Sequence, residues 1–191
     1  NLDCAGWGKQ AVPVCNVPDY GTTEVADHAI ALMLSLTRGT AAYHRMLSKA
    51  PFDGWRFADA PLVRRLRGSV FGVIGMGRIG MATALRAQAF GMKILFYDPH
   101  LPSGVELSLG FERVLDLESL VSQADVLSVH APLNKNTEGL INQNLLGLGK
   151  RGQILINTAR GPIIDLDAVL ENLQSGQLGG AGLDVLPEEP A

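Results

Sequence analysis

Cysteine is scarce in this sequence: Cys4 and Cys15 are the only two in 191 residues. Two thiols cannot build a disulfide framework, and neither has a histidine or a second cysteine at ligand spacing, so no metal site is expected and both read as buried thiols. Charge of one sign is equally lacking, with 16 Lys and Arg against 19 Asp and Glu for a net charge of −3. The basic residues that do bunch, Arg64, Arg65 and Arg67, form a short loop cluster rather than a stripe, and nothing calls for a nucleic-acid partner. No apolar run approaches the roughly 20 residues of a membrane span. The N-terminus has neither the basic start nor the apolar stretch of a signal peptide, so a cytoplasmic protein is expected. Internal repeats and low-complexity tracts are absent as well.

What is present is a 47% hydrophobic chain with 22 glycines and 10 prolines, the profile of one large domain or two small ones, long enough to bury a core without staples. Val12 to Val17 reads as a short strand ending at Pro18. A helix follows, capped by Thr22 or Thr23 and running to Arg38 and Gly39 on the periodicity of Ala26, Ile30, Met33, Leu34 and Thr37. A second helix spans about Thr40 to Lys49. Pro51 to Arg67, with an exposed-looking Trp55, reads as a loop crossing between parts of the fold. Apolar runs then alternate with helical patterns. Strands are expected at Ser69 to Ile74, Lys93 to Tyr97, Asp125 to Val129, Gln153 to Ile156 and Gly180 to Val185. Between them lie helical patterns at Ile79 to Ala89, Asp116 to Gln123, Asn142 to Leu148 and Asp165 to Leu173. Parallel strands need crossovers, and the crossovers cover the sheet, so the alternation predicts an α/β fold: a Rossmann-like doubly wound parallel sheet with helices on both faces.

Gly75, Met76, Gly77, Arg78, Ile79 and Gly80 spell GxGxxG between a strand and a helix. In that context each glycine serves a distinct purpose, with a tight turn at Gly75, close backbone approach to a pyrophosphate at Gly77, and close helix-to-strand packing at Gly80. The phosphates would sit at the helix N-terminus, where free amides and the helix dipole favour an anion, with Arg78 adding a cation. About twenty residues on, Asp98 ends the next strand, where its carboxylate would accept from the adenosine ribose hydroxyls and repel a 2′-phosphate. Pro99 and His100 follow it rather than an arginine, which favours NAD over NADP. The bland alternative is a glycine turn that binds nothing and an aspartate that merely ends a strand.

Asn157, Thr158, Ala159, Arg160 and Gly161 after a strand, and Gly182, Leu183, Asp184, Val185 with Glu188, Glu189 and Pro190, together with the glycine loop, resemble the D-2-hydroxyacid dehydrogenase family over essentially the whole chain. The resemblance includes Asn16 to Pro18, Glu24 to Asp27, and Val129 to Leu133 with Thr137. Phe96, Tyr97, Asp98 and Pro99, with Val17, Pro18, Ala26 and Asp27, look most like the branch containing the C-terminal binding protein corepressors. The resemblance implies that Arg160 holds the substrate carboxylate and polarises the carbonyl that receives hydride, and that Glu189 hydrogen-bonds a general-acid histidine. The physical chemistry suits both roles, since a planar guanidinium grips a carboxylate bidentately and a carboxylate behind an imidazole raises its pKa. The cofactor would further touch Tyr97, Pro99, His130, Ala131, Pro132, Thr137 and Arg160, with Thr158 and Ala159 against the nicotinamide ribose, Val25 against the ring and Asp184 near the carboxamide.

In the family the catalytic histidine lies beyond the glutamate, whereas His28, His44, His100 and His130 all fall elsewhere. Asn1, Leu2 and Asp3 look like the tail of the family's substrate loop. The expectation is therefore a complete cofactor domain over residues 1–191, cut from a larger enzyme whose substrate domain and closing segment are not in this sequence. Such a domain would bind NAD or NADH, but alone would turn over no 2-oxo acid. The intact parent would be either a metabolic dehydrogenase or, from a different class, an NAD(H)-sensing dimeric interaction module like the corepressors. Residues 20–60 are expected to form a helical dimerisation segment, because a stripe of Ile30, Leu34 and Leu36, with Met46, Leu47 and Trp55, is more apolar than a solvent-facing pair needs.

Overall fold

The computed structural model describes residues 15, 17, 19–50, 52, 53, 55, 60 and 62–188. Two helices open it: α1 (Thr22–Arg38) and α2 (Thr40–Lys49), hinged on Gly39. Then come β1 (Val70–Ile74), α3 (Arg78–Ala89), β2 (Lys93–Tyr97), α4 (Val105–Leu109), β3 (Glu112–Arg113), α5 (Leu117–Gln123), β4 (Val126–Val129), α6 (Gln143–Gly147), β5 (Gln153–Asn157), a 3-10 turn (Gly161–Ile163), α7 (Leu166–Ser175) and β6 (Leu178–Leu183). The strands form one parallel six-stranded sheet in the order β3-β2-β1-β4-β5-β6. The order reverses between β1 and β4, and the crevice beyond the strand ends at such a switch point is where open α/β sheets bind ligands.

Alternation along each strand sends side chains to two cores. Phe71, Val73, Val126, Ile154 and Ile156 meet α1 and α3 on one face, around Met33, Ala84 and Ala87. Ile74, Leu127, Val129 and Leu155 meet α5, α6 and α7 on the other, around Leu120, Leu146 and Val169. Both faces are covered, so the strands read as continuous apolar runs, and each fully buried large side chain contributes about 1.5–3 kcal/mol. Side-chain caps start three of the helices. Asp116 Oδ1 accepts from Ser119 N, Asn142 Oδ1 from Leu145 N, and Asp165 Oδ1 from Asp167 N and Ala168 N, which is where the sequence pattern places those starts.

Several expectations are corrected. Neither Thr22 nor Thr23 caps α1. Gly21 takes the N-cap place with a left-handed backbone (φ 72) and no side-chain bond. Cys15 is exposed rather than buried, as is Val17 two residues on, at 73%. The rest of the expected strand from Val12, and Cys4, lie outside the described residues. Of the apolar stripe of α1, Ile30 is buried, while Leu34 and Leu36 are partly buried against the same core. Of the arginine cluster, Arg64 is an anchor, donating to the backbone oxygens of Asp125 and Gly152. Helix α4 and the two-residue β3 have no counterpart in the sequence pattern.

Candidate functional site

The register of the sheet draws one line across it. Tyr97 of β2 aligns with Ile74 of β1, Ile74 with Val129 of β4, Val129 with Asn157 of β5, and Asn157 with Leu183 of β6. The residues one step beyond are Asp98, Gly75, His130, Thr158 and Asp184. Five residues singled out from the sequence thus emerge together at the carboxyl edge of the sheet, on both sides of the switch point.

The glycine loop is built tightly. Gly75 has φ +89, and a Cβ there would lie 2.8 Å from Ala131 N, so the loop rests directly on the turn after β4. A Cβ on Gly80 would overlap the Gly75 carbonyl oxygen, which fixes the start of α3 against the end of β1. Gly77 is the opposite case: a Cβ would meet nothing within 4 Å. No side chain caps α3, so its first amides face this open space. Asp98 ties the loop to the next strand, accepting from Met76 N (Oδ2, 2.9 Å) and His100 N (Oδ1, 2.9 Å), and an ionised carboxylate retains acceptor capacity beyond two bonds. Arg78, expected at the phosphates, pairs with Asp19 at 2.6 Å. Both side chains are exposed, and such a pair holds them weakly.

Two adjoining hollows run over this edge. The smaller, about 220 Å³, lies between Val17, Asp19, Gly77 and Arg78. The larger, about 640 Å³, extends past Val25, Ala131 and Pro132 to Thr158, Ala159 and Arg160. Tyr20, Ile79 and His130 line both, so the cleft is continuous from the glycine loop to Arg160 and has the volume of a small-molecule site. Tyr20 and Gly21 join it without any signal in the sequence, and Leu133 joins it from the family-like stretch Val129 to Leu133.

Beyond β5, Asn157 shapes the turn that carries Arg160. Fully buried, it donates from Nδ2 to the Arg160 carbonyl (3.0 Å) and accepts Ala159 N at Oδ1 (3.0 Å). The Arg160 side chain is exposed, and its Nη1 donates to the Ala159 carbonyl. Thr158 is buried, and its Oγ1 has no hydrogen-bond partner. A buried hydroxyl left unpaired is costly unless a ligand completes it. Gly161 lies against the backbone of Leu186 and Pro187, which brings the chain leading to Glu189 beside this turn; Glu189 itself lies outside the described residues.

The remaining candidates are placed differently. Thr137 Oγ1 is used within its own loop, donating to the Pro132 carbonyl and accepting from Asn134 N. Tyr97 packs partly buried against the core, and Pro99 is exposed. Asp184 pairs with His28 Nε2 at 3.1 Å. His130 shares a 2.8 Å hydrogen bond between its Nε2 and Ser128 Oγ. The residue keeps some exposed surface toward the cleft, yet its imidazole is enclosed enough that burial lowers its pKa from 6.5 to about 4. It is therefore neutral at pH 7.

Stability depends on pH through this group. Below pH 6.5 the unfolded chain protonates this histidine while the folded chain does not until about pH 4, so stability falls as pH falls through that window. Urea titrations at pH 7 and pH 4.5 are expected to show a loss from this group of roughly 2 kcal/mol, discounted for its partial exposure. His130→Gln is expected to remove that part of the acid sensitivity, and an unchanged pH dependence in the variant would contradict the assignment.

The open space at Gly77, the uncapped helix start and the unpaired Thr158 hydroxyl fit a dinucleotide. Comparison with known proteins points the same way. Residues 30–191 match the model of the D-isomer specific 2-hydroxyacid dehydrogenase NAD binding domain. The chain is 38% identical over 185 residues to a hydroxypyruvate reductase of Blautia hydrogenotrophica, covering 95% of this chain and 56% of that protein. It is 37% identical over 190 residues to a D-3-phosphoglycerate dehydrogenase of Methanocaldococcus jannaschii, covering 100% and 36%. The solved structure of Rhodotorula graminis D-mandelate dehydrogenase superposes with a TM-score of 0.90 at 34% identity, over all of this chain and 56% of that one. The chain thus spans 36–56% of the length of these relatives.

Proposed function

Because the chain belongs to the D-isomer specific 2-hydroxyacid dehydrogenase family, as its NAD-binding domain, we propose that the protein carrying it moves a hydride between NAD(H) and a small 2-oxo acid or its D-2-hydroxy counterpart. The supporting observation is the row Asp98, Gly75, His130, Thr158 and Asp184 at one edge of the sheet, opening on a cleft that ends at Arg160. NADH, when bound, supplies the hydride. The amides at the start of α3 hold the diphosphate, and Asp98 accepts from the adenosine ribose hydroxyls. Ile79, Ala131, Pro132 and Val25 give the cleft apolar walls that exclude water, while Thr158 donates its free hydroxyl toward the nicotinamide ribose. Arg160, presented on the turn that Asn157 shapes, grips the substrate carboxylate and polarises the carbonyl. Glu189 orients the imidazole that gives the carbonyl oxygen its proton.

None of the four histidines suits that last role. His28 is paired to Asp184, and His44 and His100 are exposed and do not line the cleft that holds Arg160. His130 shares the cleft but is neutral and engaged by Ser128. The 191-residue chain by itself is therefore expected to show no sustained NADH oxidation with glyoxylate, pyruvate or hydroxypyruvate, whereas the whole protein reduces at least one of them. Turnover by the 191 residues alone would contradict this reading.

Residues 20–60 are proposed as the surface that joins two copies. Helix α2 has no buried residue, and Phe52 (95%) and Trp55 (80%) beyond it are almost fully exposed, an apolar surface that a second subunit would cover. Those same exposed side chains favour a second reading, the corepressor-like module, in which NAD(H) stabilises a dimer that recruits partners. Turnover by the whole protein separates the two.

A further inference from the structure

The stretch from Asp98 to Gly104 leaves the sheet at its edge, and one largely enclosed arginine holds it. Arg113 sits in β3 opposite Phe96 of β2. Its Nη1 donates to the Leu101 carbonyl at 2.9 Å and its Nη2 to the Pro102 carbonyl at 2.7 Å. The guanidinium lies over the Phe96 ring, 5.3 Å from its centroid, and pairs with Glu106 Oε2 at 3.1 Å. Glu106 in turn accepts Gly104 N at Oε1, closing the far end of the same stretch. Only 14% of the Arg113 side chain and 24% of the Glu106 side chain are exposed, so solvent screens the pair little. Arg113 Nε is buried without a partner, an unfavourable arrangement for a strand of two residues at a sheet edge. An apolar side chain would cover Phe96 as well. What only a planar, two-pronged cation can do here is clamp two successive carbonyls of the stretch that begins at Asp98.

We propose that Arg113, anchored by Glu106, is a positioning residue for the adenosine end of the cofactor cleft: by fixing the turn after Asp98 it aims that carboxylate at the ribose. The near end of the turn is held by Asp98 itself, through His100 N and Met76 N. With the far end released, the Asp98 carboxylate keeps its place in the chain but not its direction. The inference rests on the reading of Asp98 as the ribose acceptor. It differs from a purely structural role in one respect. Asp98 favours a 2′-hydroxyl and disfavours a 2′-phosphate, so loosening it lowers affinity for NADH more than for NADPH, whereas general destabilisation would lower both alike.

The test is fluorescence titration of the 191-residue chain and of Arg113→Met with NADH and with NADPH. The variant is expected to bind NADH about tenfold more weakly, the scale of one lost charge-assisted hydrogen bond, with NADPH affinity changed less than about twofold and the far-ultraviolet circular dichroism unchanged. Arg113→Lys, which keeps the charge but not the fork, is expected to recover only part of the loss. Equal changes for the two cofactors, or no change in a folded variant, would overturn the inference. Should Arg113→Met fail to fold, Glu106→Gln decides by the same ratio, since it loosens the anchor and leaves both carbonyl bonds available. An unaltered chain with no preference for NADH would overturn the Asp98 reading together with this inference. A preference that survives in the variants would overturn the inference alone.

Discussion

Gly80→Ala is expected to abolish measurable NADH binding, with a loss of affinity above about 100-fold, and to destabilise the chain by about 2–3 kcal/mol. The new methyl would overlap the Gly75 carbonyl oxygen, and neither side can yield cheaply. Gly75 is held at φ +89 with no room for a Cβ beside the backbone of His130 and Ala131, and its N–H donates to the Tyr97 carbonyl. Helix α3 is fixed by the buried Thr83, Ala84 and Ala87. The contact is relieved only if the helix start moves away from β1, and then the first-turn amides no longer converge on one point. Gly77→Ala is the informative contrast. Its methyl meets no protein atom within 4 Å, so the melting temperature is expected to stay unchanged while NADH affinity falls about tenfold, because close backbone approach is what that glycine permits. Chemical denaturation and NADH titration on both variants check the pair. Equal affinity in Gly80→Ala would show that the diphosphate does not sit at this helix start.

Arg160→Met in the whole protein is expected to lower kcat/KM for the 2-oxo acid by about 10³-fold, in the range for removing one partner of a desolvated charge pair. NADH affinity is expected to stay within about threefold, because the guanidinium is exposed at the far end of the cleft from the glycine loop, beyond reach of the phosphates. Stability is expected to change by less than about 0.5 kcal/mol, since the side chain makes one bond, to its neighbour's carbonyl. Arg160→Lys is expected to recover little, because an ammonium cannot grip a carboxylate with two parallel bonds. Steady-state kinetics alongside NADH titration separates the two effects. A variant that loses NADH binding and turnover together would instead show that Arg160 acts mainly on the cofactor.

The sheet and the cleft are legible in the sequence because each rests on local chemistry. Asp116, Asn142 and Asp165 announce helix starts by the bonds that their side chains make one turn on. Continuous apolar runs announce strands that are covered on both faces. Gly75, Gly77 and Gly80 announce their turn, and parallel register then brings Asp98, His130, Thr158 and Asp184 to the same edge without further information. What escapes a reading of the sequence is set by long-range contact. Glu112 and Arg113 carry no strand pattern, and form β3 because Phe96 and its neighbours offer an unpaired edge. Ile30 looks like part of an interface stripe, yet it is buried in the core between the helices and the sheet. The exposure of Cys15, the pairing of Arg78 with Asp19, and the enclosure of His130 beside Ser128 depend on residues distant in the chain or on packing that no spacing encodes. Thr137 lies in the expected loop, but its hydroxyl shapes that loop from within.

On the proposed reading this chain binds NADH in the cleft between the glycine loop and Arg160, with Asp98 selecting against a 2′-phosphate. Fluorescence titration of the unaltered 191-residue chain with NADH and NADPH tests it most directly. Saturable NADH binding is predicted, with NADPH weaker by at least about tenfold, the scale set by one misplaced charge. Absence of saturable binding, or tighter binding of NADPH, would contradict it.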